Sequence, residues 1–135
     1  MTLRVVPEIY CFDIIVSKAY FIDVLGFDVK YERPEEEFAY LTLDGVDLML
    51  EGMSGDTRKW VSGDLAYPLG RGINFQWDVT DIESLYQRVS STAADSIYLV
   101  LESKSYQCGN SIATQKQFIV QTPDGYLFRF CQDVG

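Results

Sequence analysis

The stretch FIVQTPDGYLFRF, residues 118–130, decides the fold, because it reads as two apolar strands joined by a Pro-Asp-Gly turn. Side chains along the second strand alternate between the two faces of a sheet. Tyr126, Phe128 and Phe130 share a face suited to packing on a helix, whereas Arg129 lies on the other face. A guanidinium in the middle of an otherwise apolar strand needs a partner or a ligand on that face.

The same order of elements occurs twice along the chain. Apolar periodicity and turn residues predict, in the first half, a strand, a helix and three strands over residues 5–12, 15–25, 27–33, 37–43 and 46–51. The second half repeats this order with a strand over 73–79, a helix opened by a capping box at 80–83, and strands over 97–101, 115–121 and 126–132. The Asp-Ile pairs at 13–14 and 81–82, and the Asp-Gly turns at 44–45 and 124–125, follow in matching order. The sequence therefore predicts an α+β fold with a βαβββ duplication.

The chain has 135 residues, the length of one ordinary domain, and we expect the duplication to fill it. We assign module one to residues 1–51, a connector to residues 52–71 and module two to residues 72–135. Residues 102–114 are predicted to form a polar loop within module two. Loops of this length in compact domains are usually functional or mobile.

Composition excludes several classes of site and partner. Lys and Arg number 11 against 20 Asp and Glu, a formal charge of −9, which would repel a nucleic-acid backbone. No apolar run reaches the roughly 18 residues of a membrane span, and the first residues lack a signal-peptide segment, so we expect a cytoplasmic protein. The chain has no histidine, which excludes imidazole bases and imidazole metal ligands. Three cysteines without C-x-x-C spacing favour inert thiols over a disulfide framework or a structural zinc site.

Three motifs occur in an order that resembles one family. They are YERPEEEFAYL at 31–41, GRGINFQ at 70–76 and KQFIVQTPDGYLFRF at 116–130. With the duplication, they resemble the vicinal oxygen chelate superfamily of glyoxalases, bleomycin-resistance proteins and extradiol dioxygenases, and bleomycin-resistance-like proteins most closely. The resemblance implies a curved mixed sheet in each module, a concave cleft, and a homodimer whose subunits complete each cleft. It also implies that the first strand is exchanged between subunits at Pro7.

Enzymes of that superfamily hold a divalent metal in the cleft on His and Glu side chains, and the resemblance gives the matching positions here. They fall near Val6 or Pro7 with Glu8 close by, at or near Asp47, at Asn74 and at Arg129. Asn is a weak neutral donor and Arg stays protonated, so the guanidinium would repel a divalent ion by roughly 4 kcal/mol per unit-charge pair near a surface. We therefore predict no metal and no other cofactor, and expect Arg129 to pair with Glu8, Asp47 or Glu51.

The resemblance also implies a set of ligand-binding residues. In the bleomycin-resistance relatives, aromatic side chains clamp the flat rings of a cationic antibiotic, and acidic groups favour its cationic portion. Tyr31 and Phe38, around the acidic run 32–37, match the aromatic pair, and Trp60 and Tyr106 are further candidates. Strand alternation alone lets polar residues of three strands converge on the same concavity. The predicted ligand-binding set is Tyr31, Phe38, Tyr40, Asp47, Met49, Glu51, Trp60, Asn74, Gln76, Tyr106 and Arg129, with no catalytic residue and no metal ligand.

These residues predict a metal-free small-molecule binding protein that sequesters a flat or cationic antibiotic-like ligand, such as a bleomycin-type antibiotic, in a dimer groove. The relatives carry a tryptophan just before the strand at 116–121, whereas this chain has Ala113-Thr114, so the identity of the ligand stays open. The alternative is a glyoxalase-like lyase or isomerase that acts through a cleft carboxylate, namely Glu8, Asp47, Glu51 or Asp78. A third interpretation is a sensor, or a binding module that has lost its ligand.

Overall fold

The computed structural model describes residues 3–135 and divides into two compact units, Met1–Ala66 and Tyr67–Gly135. We call them the first unit and the second unit. The boundary lies within the predicted connector, whose residues are thus shared between the two. No helix in the described part of the chain is long and apolar enough to cross a bilayer.

The first unit contains one mixed sheet and one short helix. Its elements are β1 (Glu8–Cys11), α1 (Ile14–Ala19), a π-helical segment (Tyr20–Val24), β2 (Asp28–Arg33), a 3-10 turn (Pro34–Glu36), β3 (Phe38–Leu43) and β4 (Val46–Gly52). The strand order is β1-β4-β3-β2, in which β1 and β4 run parallel and the other neighbours antiparallel.

The second unit repeats this arrangement. Its elements are β5 (Asn74–Asp78), α2 (Ile82–Ala93), a 3-10 turn (Ala94–Ser96), β6 (Ile97–Cys108), β7 (Ser111–Gln121) and β8 (Leu127–Asp133). The order β5-β8-β7-β6, with β5 and β8 parallel, matches that of the first unit strand for strand. The predicted α+β fold with two βαβββ modules is confirmed.

The predicted faces of the last strand are confirmed by burial in the second unit. Phe128 and Phe130 are fully buried, and both contact rings on the helix side of the sheet. The ring of Phe118 bridges Phe130 and Tyr86 of α2, with centroid distances of 5.4 and 5.0 Å. Because α2 covers this face, the opposite face of the sheet, with Arg129, is left for a site.

The predicted helix over 15–25 is not α-helical throughout. After α1 ends at Ala19, the chain widens into a π-helical segment in which Leu25 N donates to Tyr20 O at 3.1 Å. Tyr20, Phe21 and Leu25, which the apolar periodicity places on one face, are all buried. The first strand is also shorter than predicted and begins at Glu8.

The polar loop predicted over 102–114 is wrong, because these residues extend β6 and β7 into a long hairpin. Cys108 pairs with Ser111 across a two-residue turn, in which Gly109 has a φ of 62°. Further along, the hydroxyls of Ser105 and Thr114 lie 2.9 Å apart across the strands. The hairpin lacks the apolar alternation of a half-buried strand, because its residues are largely exposed.

The capping box predicted at Thr80 and Glu83 is displaced by one residue. Asp81 is the N-cap of α2, and its carboxylate accepts hydrogen bonds from Ser84 N at 3.1 Å and from Ser84 Oγ at 2.8 Å. The two hydrogen bonds hold the pKa of Asp81 below its usual value. A carboxylate at the N-cap also interacts favourably with the positive end of the helix dipole, which is consistent with Asp81, and not Thr80, capping the helix.

Candidate functional site

Arg129 lies at the centre of the second unit's open face. Parallel pairing of β5 with β8 places it beside Gln76, and its Nη2 donates to Gln76 Oε1 at 3.1 Å. Longer contacts join its Nε to Asn74 Oδ1 at 3.4 Å and its Nη1 to Gln117 Oε1 at 3.5 Å. Three neutral amide oxygens therefore position the guanidinium that the sequence places in an apolar strand.

A second layer of hydrogen bonds fixes the orientation of Gln117, which is buried. Its Nε2 donates to Glu102 Oε2 at 2.8 Å, and its Oε1 accepts from the Tyr106 hydroxyl at 2.7 Å. This network runs across the long hairpin and orients the Tyr106 ring. Glu102 lies in the segment predicted as a loop and Gln117 in the strand predicted over 115–121, and neither was among the predicted site residues.

Arg129 and Tyr106 border a cavity of about 260 Å³, which we call the Arg129 groove. It is lined by Gln76, Tyr106, Cys108, Ala113, Gln115 and Arg129. Three of the lining residues belong to the predicted ligand-binding set, and a fourth predicted residue, Asn74, contacts Arg129 directly. The lining residues of the hairpin that were missed carried one sequence signal, the Gly109-Asn110 pair, which is typical of a two-residue hairpin turn.

Cys131 lies on the same face, where its Sγ is 3.9 Å from Arg129 Nη1. Burial raises the pKa of this thiol, and the nearby charge of Arg129 opposes the effect without cancelling it. The thiol therefore stays protonated at neutral pH and is a poor nucleophile. Cys11 is likewise buried and outside any disulfide, whereas Cys108 is exposed.

In the first unit, the predicted site residue Asp47 is a buried carboxylate with several charged and polar partners. It is 6% exposed, and its Oδ2 accepts from the Tyr40 hydroxyl at 2.9 Å and from Lys30 Nζ at 3.1 Å. Arg4 Nε lies 3.6 Å from the same oxygen. Burial by itself raises the pKa of Asp47, but interactions with Thr42, Tyr40 and Lys30 outweigh it, and the pKa lies below its usual value.

The predicted aromatic residues of the first unit differ in how open they are. Tyr31 is 49% exposed and stacks on Tyr40, with ring centroids 5.0 Å apart and planes 19° from parallel. Phe38 is buried, and the guanidinium of Arg33 lies 4.1 Å above its ring. The same guanidinium is 5.9 Å from the ring centroid of Tyr31, so Tyr31 is the more open of the two rings but is also close to the cation. Met49 pairs with Tyr40 on the neighbouring strand and is half-buried.

Two acidic residues, Glu8 and Glu51, lie close together where β1 runs beside β4. Glu51 is buried, with its Oε2 3.4 Å from Lys59 Nζ. Burial raises the pKa of Glu8, and repulsion from Glu51 raises it further. The start of the connector covers this edge, because Trp60 N donates to the Tyr10 hydroxyl at 2.7 Å. The Trp60 ring itself is 65% exposed.

The structure gives these charges partners that differ from the predicted ones. Asp47 and Glu51 pair with lysines of the first unit, whereas Arg129 is bound by side-chain amides of the second unit. The pairing of Arg129 with a carboxylate was therefore wrong as stated. The physical reason for the difference is that the side-chain oxygens of Gln76 and Gln117 lie next to the guanidinium and accept hydrogen bonds from it.

The two mixed sheets, each with a parallel outer pair and a helix, define the fold type of the vicinal oxygen chelate proteins, and comparison with known proteins bears this out. A glyoxalase/bleomycin resistance protein/dioxygenase superfamily member from Vibrio splendidus 12B01 is 70% identical over 98% of this chain and 100% of its own, with a TM-score of 0.47. TioX from Micromonospora sp. ML1 is 20% identical over 98% of this chain and 100% of its own, with a TM-score of 0.73. A glyoxalase/bleomycin resistance protein/dioxygenase from Alicyclobacillus acidocaldarius is 16% identical over 97% and 91%, with a TM-score of 0.65.

The chain belongs to the glyoxalase/bleomycin resistance protein/dioxygenase superfamily. Membership rests on the 70% sequence identity of the Vibrio protein, and the likeness of fold rests on the two more distant structures. The chain matches no protein-family model and no curated protein.

The residues at the superfamily's metal positions do not fit a divalent ion. The position on β8 carries the guanidinium of Arg129, and the one on β5 carries the neutral amide of Asn74, which itself contacts that guanidinium. Asp47, the carboxylate on β4, is already engaged by Lys30 and Tyr40. Within residues 3–135, no group of three Cys, Asp or Glu side chains is placed to hold a metal. Arginine cannot release its proton to become a ligand.

Proposed function

We propose that this chain is a metal-free binding protein, similar to bleomycin-resistance proteins, that sequesters a flat antibiotic-like molecule without converting it. The observation that carries the proposal is the Arg129 groove. A protonated guanidinium stands at a metal position of the superfamily, faces about 260 Å³ of space, and is held by neutral amides. Such a site suits recognition of an organic molecule and not metal chemistry.

Exposed aromatic rings support a flat ligand. Tyr106 lines the Arg129 groove with 37% of its surface exposed, and Tyr31 and Trp60 are more exposed still. Each stacked pair of rings stabilises a complex by about 0.5–1.5 kcal/mol beyond the apolar area that it buries.

A homodimer in the cytoplasm is part of the same proposal. Pro7 precedes β1, and its carbonyl accepts from Met49 N at 2.9 Å, so the segment before β1 is anchored at this point. Beyond the anchor, Leu3 and Val5 are 91% and 88% exposed. Apolar side chains with so much exposed surface suit an N-terminal segment that packs on the partner subunit when the first strand is exchanged. A monomer in sedimentation at micromolar concentration would count against the dimer.

The test is calorimetric titration with metal-free bleomycin and a panel of flat heterocyclic antibiotics, followed by mass spectrometry of the recovered ligand. We expect saturable binding and a chemically unchanged ligand. Tyr106→Leu should weaken binding about two- to tenfold, since one ring stack is lost. Tyr98→Leu is the matched control, because Tyr98 is an exposed tyrosine of the same strand outside the groove lining. Binding that neither substitution changes, or recovery of a converted ligand, would contradict the proposal.

The raised pKa of Glu8 favours a second candidate, a lyase or isomerase of the glyoxalase kind. A carboxylate destabilised by burial and by Glu51 is a stronger base than an ordinary one. In this alternative Glu8 would remove a proton from the ligand. Turnover of glyoxalase-type substrates that is abolished in Glu8→Gln and kept in Asp28→Asn, an exposed carboxylate of the same unit, would favour the enzyme.

A further inference from the structure

We infer that the Arg129 groove recognises the carboxylate of a small aromatic acid, an inference that rests on the proposed function, since it names a ligand class for the same groove. The starting point is the charge of Arg129. Within residues 3–135, its hydrogen bonds go to amide oxygens and one thiol, and no ion pair involves it.

The two glutamines that contact Arg129 also separate it from the nearest carboxylates. Gln76 donates its Nε2 to Asp78 Oδ1 at 3.2 Å while its Oε1 accepts from Arg129. Gln117 donates its Nε2 to Glu102 Oε2 at 2.8 Å while its Oε1 faces Arg129. Each amide is therefore held by a carboxylate on one side and by the guanidinium on the other, and the positive charge has no direct counter-ion.

The contacts of Arg129 are also loose enough for a ligand to replace. Two of its three hydrogen bonds to oxygen are 3.4 and 3.5 Å long. A carboxylate typically accepts from an arginine at about 2.7–2.9 Å, often through two parallel hydrogen bonds, and such charge-assisted bonds are roughly twice as strong as neutral ones. A ligand carboxylate in the groove would thus exchange weak contacts for strong ones.

Lys104 adds a second positive charge on this face. In the register of β6 and β7 it lies opposite Gln115, a residue of the groove lining, and it precedes Tyr106 by two residues on β6. Because side chains alternate along a strand, Lys104 and Tyr106 share the groove side of the sheet. Lys104 therefore adds a positive charge to the face of the sheet that carries Tyr106 and Arg129, which favours an anionic aromatic ligand.

The size of the groove limits that ligand. Its 260 Å³ lie just below the roughly 300–1,000 Å³ of pockets for drug-sized molecules, so the groove holds either a small ligand or one ring system of a larger one. Tyr106 and Ala113 supply apolar lining, and Arg129 supplies the charged contact. The dimensions and chemistry suit an acid of one or two aromatic rings, whose ring stacks on Tyr106 while its carboxylate contacts Arg129.

The experiment compares 2-naphthoate with 2-naphthamide by isothermal titration calorimetry of the full chain. The two probes have the same shape and differ in charge. We expect the acid to bind at least about tenfold more tightly, in line with a charge-assisted hydrogen bond. Arg129→Gln should abolish this preference and Arg129→Lys should keep part of it. Arg88→Gln, which removes the same charge from α2 on the other side of the sheet, should leave it intact, and thermal unfolding would verify that each variant is folded.

Three results would overturn the inference. They are equal binding of acid and amide, a preference for the acid that survives in Arg129→Gln, and no binding of either probe at millimolar concentration. The titration with flat antibiotics decides the proposed function separately. If antibiotics bind and the acid has no advantage, only the carboxylate inference fails; if nothing binds, both fail.

Discussion

Replacement of Asp47 by alanine is expected to destabilise the first unit, and the size of the effect follows from the contacts of this carboxylate. Its Oδ2 accepts from the buried Tyr40 hydroxyl at 2.9 Å. A hydrogen bond to a charged group contributes about 1.5–3 kcal/mol to stability. The ion pair with Lys30, whose side chain is 48% exposed, adds about 0.2–1 kcal/mol. We therefore expect Asp47→Ala to lower the free energy of unfolding by about 2–4 kcal/mol.

The measurement is urea unfolding followed by circular dichroism, with linear extrapolation to water. Tyr40→Phe removes the same hydrogen bond from the other side, so a double-mutant cycle should give a coupling of about 1 kcal/mol or more. Asp28→Asn is the control for loss of one negative charge at an exposed position. A loss below about 0.5 kcal/mol in Asp47→Ala would refute the reasoning, because it would match an ordinary surface substitution.

The effect should also depend on pH in a defined direction. Since the folded protein lowers the pKa of Asp47 below the usual 3.8, the carboxylate stabilises the fold fully above that pH. The contribution is lost as the pH falls through the lower folded value. The difference in stability between wild type and Asp47→Asn should therefore shrink below the usual pKa, and a constant difference would contradict the assignment.

Three further substitutions test other parts of the structure. Glu8→Gln should raise the melting temperature at pH 7, because a raised folded pKa makes the ionised carboxylate destabilising, and the gain should vanish below the usual pKa of 4.5. Gly125→Ala should cost at least about 2 kcal/mol in urea unfolding, because φ is +106° and a Cβ would lie 2.5 Å from a proline side chain, whereas Gly63→Ala has open space and should be nearly neutral. Asp81→Ala should lower the free energy of unfolding by about 1 kcal/mol, because it removes the N-cap of α2, and Thr80→Ala should lower it less. Equal losses in the two variants would instead support Thr80 as the capping residue.

Much of the fold could be predicted from the sequence because strand alternation depends on backbone geometry alone. It placed Asn74, Gln76 and Arg129 on one face of the second sheet, where the structure has them in contact. The same rule placed Tyr126, Phe128 and Phe130 on the opposite face of that sheet, where all three are buried. The duplication was visible because turn residues recurred in the same order.

The rest depended on contacts that no local pattern encodes. The long hairpin escaped prediction because it is polar on both faces, which removes the apolar alternation that identifies a half-buried strand. Glu102 was missed together with the hairpin, whereas Gln117 was predicted as a strand residue but not as part of the site. Whether a carboxylate or an amide contacts Arg129 depends on tertiary packing, so the sequence alone could not identify the partner.

Arg129, at a metal position of the superfamily, is expected to make the site one for organic molecules and not for a metal ion. This is checked by elemental analysis of the protein after incubation with Zn²⁺, Ni²⁺, Mn²⁺ and Fe²⁺ and desalting. The paired change Asn74→His with Arg129→Glu supplies imidazole and carboxylate ligands on adjacent strands and serves as the positive control. We predict that only the paired variant retains metal. One divalent ion per wild-type chain, released by Asp47→Asn or Glu8→Gln, would contradict the claim.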